Sequence, residues 1–273
     1  MRGIRIDVPE SDVELVSDVL WSLGATAVTE DWIDDQRVIL RTSFGSDSSS
    51  IESILTERLP GVHWEHEEID TDVAETWKQF AVPTPITENL WIRPAWDRSP
   101  IRPDAVVVTI DPGATFGMGD HPTTRGCLQL LADSVDADET ILDVGCGSGV
   151  LGITALVLGA QEAIGVDITP ACLETSRENA VRNGVGDQWS VTTESLSSMD
   201  RGRRTVVANI LAPVLIELAD DIVRLATDRI VLSGLLDGRE AHVVQAMAPF
   251  VERRRVVVEG WVSIELVRTS RSS

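Results

Sequence analysis

The sequence predicts an α/β protein with an open, mostly parallel sheet, preceded by a small α+β domain. Three observations carry this. From Thr140 onward, apolar runs of strand length alternate with segments of helical spacing, as in a parallel sheet with helices on both faces. The first of these runs, Ile141-Leu142-Asp143-Val144, enters the turn Gly145-Cys146-Gly147-Ser148-Gly149, and the next, Ala163 to Val166, ends in Asp167. A strand, a glycine turn, a helix and a second strand ending in an acid form a mononucleotide-binding half. Residues 1–72 differ, with shorter elements and 17 acidic against 5 basic side chains.

A chain of 273 residues suits one large domain or two smaller ones. No apolar stretch reaches the roughly 18 residues of a membrane span, and Met1 to Asp7 reads as a first strand rather than a signal peptide. Three cysteines, Cys127, Cys146 and Cys172, show no C-x-x-C spacing. They suit a reducing cytoplasm and argue against a disulfide frame or a zinc site. The net charge is −21, and Lys78 is the single lysine. That charge opposes general nucleic-acid binding, which requires neutralised phosphates. It fits a basic protein partner, or an acid-biased proteome from a saline or high-GC organism.

In residues 1–72, Ile4 to Val8 alternates like a strand, and Ser11 is placed to cap a helix over Val13 to Leu20 that Gly24 ends. Ala27 to Ile33 and Arg37 to Phe44 read as strands joined at Asp34-Asp35-Gln36. A helix over Ser49 to Leu59 and a strand over Val62 to Ile69 follow. This βαββαβ order is ferredoxin-like. It holds no catalytic constellation, since His63 and His66 stand three apart in a strand and face opposite sides, so partner recognition is its expected role. Residues 73–89 form a linker, with a short helix over Val73 to Phe80. The tryptophans of this stretch and the next, Trp77, Trp91 and Trp96, suggest packing between domains.

The remaining chain, 90–273, begins with strands over Leu90 to Ala95 and Ala105 to Ile110. A glycine-rich loop from Asp111 to Asp120 then feeds a helix, with Pro122 at its entry and Thr123 or Thr124 as its cap. Helices are expected over Val150 to Leu158, Pro170 to Arg182, Pro213 to Ala226 and Asp237 to Ala248. Strands are expected over Ile141 to Val144, Ala163 to Val166, Trp189 to Thr192, Thr205 to Ala208 and Arg229 to Leu232. Arg255 to Glu259 and Val262 to Val267 close the chain as an antiparallel hairpin. That ending is unusual for a dinucleotide dehydrogenase and usual for an S-adenosylmethionine methyltransferase.

Gly147-x-Gly149-x-x-Gly152 with Asp167 about twenty residues on satisfies the dinucleotide pattern. Asp143 opposes that reading, because a carboxylate before the turn repels a pyrophosphate, at a cost of several kcal/mol in a partly buried site, to order of magnitude. S-adenosylmethionine carries an ammonium and a sulfonium instead. Asn209, at the end of the apolar run Val206-Val207-Ala208, offers a donor and an acceptor without charge. It is placed either to face a methyl acceptor or to cap the helix beginning near Pro213.

Asp111-Pro112-Gly113, Gly117-x-Gly119-x-His121-Pro122-Thr123-Thr124, Asp143 to Gly149, Gly165 to Ile168 and Ala208-Asn209-Ile210-Leu211-Ala212 occur in one order. That order resembles the PrmA-type methyltransferases of large-subunit ribosomal protein L11. The resemblance covers the chain from about Leu90 to its end and, more loosely, the N-terminal domain. It implies a class I methyltransferase, a Rossmann-like seven-stranded sheet, that moves methyl groups from S-adenosyl-L-methionine to lysine ε-amines and an N-terminal α-amine. It further implies that the N-terminal domain grips the protein substrate across a flexible linker. Carried over by position, Thr124, Gly145, Asp167 and Asn209 contact the cofactor, beside Asp143, Gly147 and Gly149 of the turn. Met118 stands where the family usually has Thr, and the N-terminal domain is shorter than in the best-known members.

On this reading Asn209 and neighbouring carbonyls orient the amine, water takes its proton, and His121 holds the loop rather than acting as base. Three alternatives stay open: a related lysine methyltransferase with another protein substrate, a nicotinamide-dependent oxidoreductase, and a non-catalytic binding module.

Overall fold

The structure is a computed structural model, and it describes all residues except 1, 24, 26, 35, 44–54, 57, 60, 69–77, 79, 80, 114, 116, 201 and 270–273. The chain divides into two compact units, Met1–Ala81 and Val82–Ser273.

The first unit has strands β1 (Arg2–Pro9), β2 (Ala27–Trp32), β3 (Arg37–Ser43) and β4 (His63–Glu68), with helix α1 (Val13–Ser22) after β1. They form an antiparallel sheet in the order β2-β3-β1-β4, as a ferredoxin-like unit requires. Alternation along β1 buries Ile4, Ile6 and Val8, which meet Leu40 and Val38 of β3 and Val13, Val16 and Leu20 of α1. The other face carries ion pairs, among them Arg37–Asp7 at 2.7 Å and Arg41–Glu67 at 2.9 Å. His63 is registered opposite Asp7 and His66 opposite Ile4, so the two histidines do face opposite sides. Ser11, expected as the cap, belongs to a 3₁₀ turn, Glu10–Asp12, that leads straight into α1, and its side chain lies outside what the structure describes. Most of the helix expected over 49–59 lies outside the described residues, though Leu55 and Leu59 are buried in this core. The helix expected over 73–80 falls almost wholly outside them.

The second unit opens with a three-stranded sheet of β5 (Thr84–Pro85), β6 (Leu90–Pro94) and β7 (Val106–Ile110). Then come α2 (Pro122–Ala132), β8 (Thr140–Val144), α3 (Val150–Val157), β9 (Glu162–Val166), α4 (Pro170–Arg182) and β10 (Trp189–Thr192). The chain continues through β11 (Arg203–Asn209), α5 (Ala212–Glu217), α6 (Ala219–Leu225), β12 (Ala226–Leu236), α7 (Ala241–Ala246), β13 (Phe250–Val258) and β14 (Trp261–Arg268). The seven-stranded sheet has the order β10-β9-β8-β11-β12-β14-β13. Its first five strands are parallel, and β14 runs antiparallel to both neighbours, which confirms the terminal hairpin. Strand order reverses between β8 and β11, the switch point where open α/β sheets bind ligands.

Period two decides which side chains meet which layer. Leu142, Val144, Val206, Ala208, Ile230, Leu232, Val262 and Ile264 pack with α5, α6 and α7. Ile141, Val207 and Val231 pack with α2 and α3 on the other face. Asp143, Asn209, Ser233 and Ser263 therefore share the α2–α3 face.

Two helical expectations are corrected. The helix expected over Pro213 to Ala226 is two short helices meeting at Leu218. Asp220 and Asp221 occupy the first turn of the second, where a helix N-terminus favours negative charge. Ala226 already belongs to β12, whose polar start, Thr227-Asp228, hides its strand period. The helix expected over Asp237 to Ala248 is reduced to Ala241–Ala246.

Candidate functional site

The turn after β8 needs its glycines for different reasons. Gly145, Gly147 and Gly149 have φ of +70°, +52° and +82°, values that L side chains rarely adopt. A Cβ on Gly145 would stand 2.4 Å from Ile210 Cγ2, so the segment after Asn209 packs directly over the turn. Gly149 caps α3 in the left-handed conformation, and its N–H donates to the Cys146 carbonyl at 2.8 Å.

Asp167 closes the second strand as expected and also organises the turn. One carboxylate oxygen accepts from the Gly147 N–H at 2.9 Å, the other from the Thr169 N–H at 2.9 Å. A carboxylate offers about four acceptor positions, so Asp167 keeps lone pairs for a ligand. Ile168 follows it, 87% exposed.

Asp143 lies beneath the turn rather than in its mouth. It is 1% exposed and accepts from the Gly152 N–H of α3 at 2.9 Å. Burial raises its carboxyl to about 7, the Gly152 hydrogen bond opposes that rise, and Asp167 adds to it. Its influence on a bound molecule is therefore its charge rather than a contact.

The loop from Asp111 to Asp120 is tied to the turn by two residues that sequence reasoning missed. Ser148 Oγ donates to the Gly117 carbonyl at 2.6 Å. The buried Asn179 amide of α4 donates to the Asp111 and Ser148 carbonyls and accepts from the Asp111 N–H. Asn183, four residues on and so on the same helix face, exchanges two hydrogen bonds with Thr109 of β7 at 2.8 Å each. That i,i+4 asparagine pair was the available signal.

Neither threonine caps α2. The N-cap is His121, with Pro122 in the first turn; its Nδ1 accepts from the Thr123 N–H and lies 2.7 Å from Thr123 Oγ1. The ring also meets Trp261 edge-on at 5.6 Å. Burial lowers the His121 pKa, against the opposing pull of Asp120 and Glu259, so the ring stays neutral. Nδ1 is engaged by Thr123 in the cap, so one of the two ring nitrogens is committed to holding the helix start. This supports the loop-holding role.

Displaced from the cap, Thr124 is 1% exposed and turned to the sheet. Asn209 Nδ2 donates to its hydroxyl at 3.2 Å. Asn209 does not cap the following helix, whose N-cap is Leu211. The structure thus brings together Thr124 and Asn209, and separately Gly145, Gly147, Gly149 and Asp167. Ile210 over Gly145 joins the two groups, and Asp143 sits below.

Comparisons with known proteins agree with this geometry. The family described as ribosomal protein L11 methyltransferase (PrmA) matches residues 2–269. A ribosomal protein L11 methyltransferase of Actinobacillus pleuropneumoniae serotype 5b is 37% identical over 289 residues, covering 97% of this chain and 98% of that protein. One from Ectopseudomonas mendocina is 35% identical with the same coverage of each. A crystal structure of ribosomal protein L11 methylase from Lactobacillus delbrueckii subsp. bulgaricus superposes with a TM-score of 0.63 at 28% identity, covering 69% of this chain and all of that one. A match from end to end, over the sheet order and the glycine turn described above, leaves no room for the dehydrogenase alternative: the chain belongs to the PrmA family of S-adenosylmethionine-dependent protein methyltransferases.

Proposed function

We propose that this chain methylates ribosomal protein L11, at lysine ε-amines and the N-terminal α-amine, in the cytoplasm. The observation that carries the site assignment is the Asn209–Thr124 hydrogen bond beside the glycine turn. One Nδ2 hydrogen of Asn209 goes to Thr124, which orients the amide, and its Oδ1 can accept from an incoming amine.

The residues present fit S-adenosylmethionine. Gly145 takes a positive φ that L side chains rarely adopt, and the place of its missing Cβ is filled by Ile210, which brings the segment after Asn209 against the turn. Asp167 has acceptor capacity for ribose hydroxyls, and Asp143 and Asp167 make the turn favourable to positive charge and hostile to pyrophosphate. When bound, the cofactor supplies a sulfonium methyl that a neutral amine displaces in line. Positioning by Asn209 and Thr124 provides most of what this chain contributes to rate. A lysine ammonium, with ordinary pKa near 10.4, sheds its proton to water before transfer.

In this reading residues 1–72 recognise the substrate for the methyltransferase unit, which begins at Val82 rather than at residue 90, because Thr84–Pro85 pairs with β6 and Ile86 is buried in that unit's core. The excess of acid in 1–72 favours a basic protein. The three cysteines are unpaired and buried, and burial pushes Cys127 and Cys172 up to about 12, which keeps these thiols protonated. Among the described residues no helix is long and apolar enough to cross a membrane.

Calorimetry with S-adenosylhomocysteine and with NADH, beside tritiated methyl transfer to L11, tests the proposal. Binding of the first ligand only is expected. Asn209→Ala, assayed at saturating S-adenosylmethionine so that a weakened cofactor contact does not limit the rate, should lose transfer by about a hundredfold; undiminished transfer would refute the acceptor assignment.

A further inference from the structure

Outside the residues already assigned, the α2–α3 face of the sheet holds a second polar group directly behind Thr124. Ser263 of β14 is 1% exposed and Ser233 of β12 is fully buried. Ser263 Oγ lies 2.8 Å from Ser233 Oγ and 3.4 Å from the Thr123 carbonyl, and Ser233 Oγ donates to the Val262 carbonyl at 3.2 Å. Ser233 is registered opposite Asn209 across the β11–β12 pair.

Helix α2 reaches this pair because residue 126 is glycine. A Cβ at Gly126 would stand 2.2 Å from Ser263 Oγ and 2.9 Å from Ser263 Cβ. Gly126 has an ordinary helical backbone; it is absent from the positive-φ glycines. A glycine inside a helix weakens it by about 1 kcal/mol relative to alanine, and no turn here requires one. What it permits is depth: α2 sinks onto β14 until its first turn meets the serine pair, two residues from the threonine that holds Asn209.

We propose that Ser263, seated against Gly126, is a positioning residue for methyl transfer. It fixes how deeply α2 sits on the sheet, and so the Thr124–Asn209 contact that orients the acceptor amine. The inference rests on the acceptor role given to Asn209 above.

The test is a set of variants of the full chain, assayed for methyl transfer to L11 at saturating cofactor, with S-adenosylhomocysteine binding and thermal unfolding recorded beside each. Gly126→Ala should lower kcat about tenfold or more, since an ångström of misplacement costs that much or worse, while the ligand still binds. Adding Ser263→Gly to Gly126→Ala returns the space and should recover kcat to the level of Ser263→Gly alone. Ser263→Ala, which removes the hydroxyl without adding bulk, serves if Gly126→Ala fails to fold. In an Asn209→Ala background, Ser263→Ala should cost nothing further, because the two act through one contact. Wild-type kcat in Gly126→Ala and Ser263→Ala, or full additivity with Asn209→Ala, overturns the positioning role. Undiminished transfer by Asn209→Ala alone overturns the acceptor assignment instead, so the two failures are distinguishable.

Discussion

Asp143 is the residue whose reading changes most between sequence and structure. Beside the glycine turn in the sequence it looks like a wall of the pocket. Period two along β8 sends it under α3 with Ile141, where it holds the Gly152 N–H. No pattern in the sequence distinguishes those two sides until the layers are known. Its carboxyl titrates near 7, so folding favours the protonated form. That stabilisation is complete below the ordinary carboxyl value and is lost as pH rises through about 7. A positively charged ligand draws the ionised form, so affinity for S-adenosylmethionine should tighten as pH rises from about 6 to about 8. Asp143→Asn keeps an acceptor for Gly152, and calorimetry across that range should show its slope flattened relative to the wild type. His121 has the opposite sign. Its lowered pKa gives stability that is complete above the ordinary histidine value and is lost as pH falls through the lowered one. His121→Ala should cost about 1 kcal/mol of stability, the usual worth of an N-cap, by urea unfolding at neutral pH.

At the scale of elements, the parallel strands and the terminal hairpin were legible because their apolar runs are short and cleanly bounded by glycine or acid. The helices of the second half were not. The break at Leu218 depends on where two acids meet a helix dipole, and the eleven-residue β12 begins with exposed polar residues that carry no period. The motif loop was legible as a loop, yet its cap was misassigned, since proline in the first turn moves the cap back to His121. The bracket made by Asn179 joins α4, the glycine turn and the loop start, contacts 31 and 68 residues apart in sequence that local pattern does not reveal. Asn179→Ala should leave the Asp111 N–H and two carbonyls without this partner and destabilise the protein by about 1–3 kcal/mol. Faster amide exchange confined to residues 111–119, with weaker S-adenosylhomocysteine binding, is the expected signature.

Across the whole molecule, the sheet keeps chemistry and stability at opposite ends. The residues proposed to face the ligand lie at the carboxyl ends of β8, β9 and β11. At the other end Arg229, 7% exposed, pairs with Glu139 at 3.0 Å and Glu265 at 3.4 Å, and donates to Thr205 at 2.8 Å. Arg254 adds a bond to Glu265 at 2.7 Å. Arg229 and Ser233 are four residues apart on β12, about 13 Å at strand rise. Arg229→Met leaves the buried Glu139 carboxylate without a balancing charge, with Thr205 as its remaining side-chain hydrogen bond, and should cost about 3–5 kcal/mol in urea unfolding, with methyl transfer per folded molecule retained. The seven strands, the family and the cofactor class were readable because they follow from patterning and motif order. The depth of α2 on β14 was not, because it depends on one missing Cβ facing one serine. The most direct test of the proposed function is mass spectrometry of purified L11 after incubation with this protein and S-adenosylmethionine. The expected result is added methyl groups on lysine ε-amines and the N-terminal α-amine, absent with Asn209→Ala. An unmodified L11, under conditions where the protein binds S-adenosylhomocysteine, would contradict it.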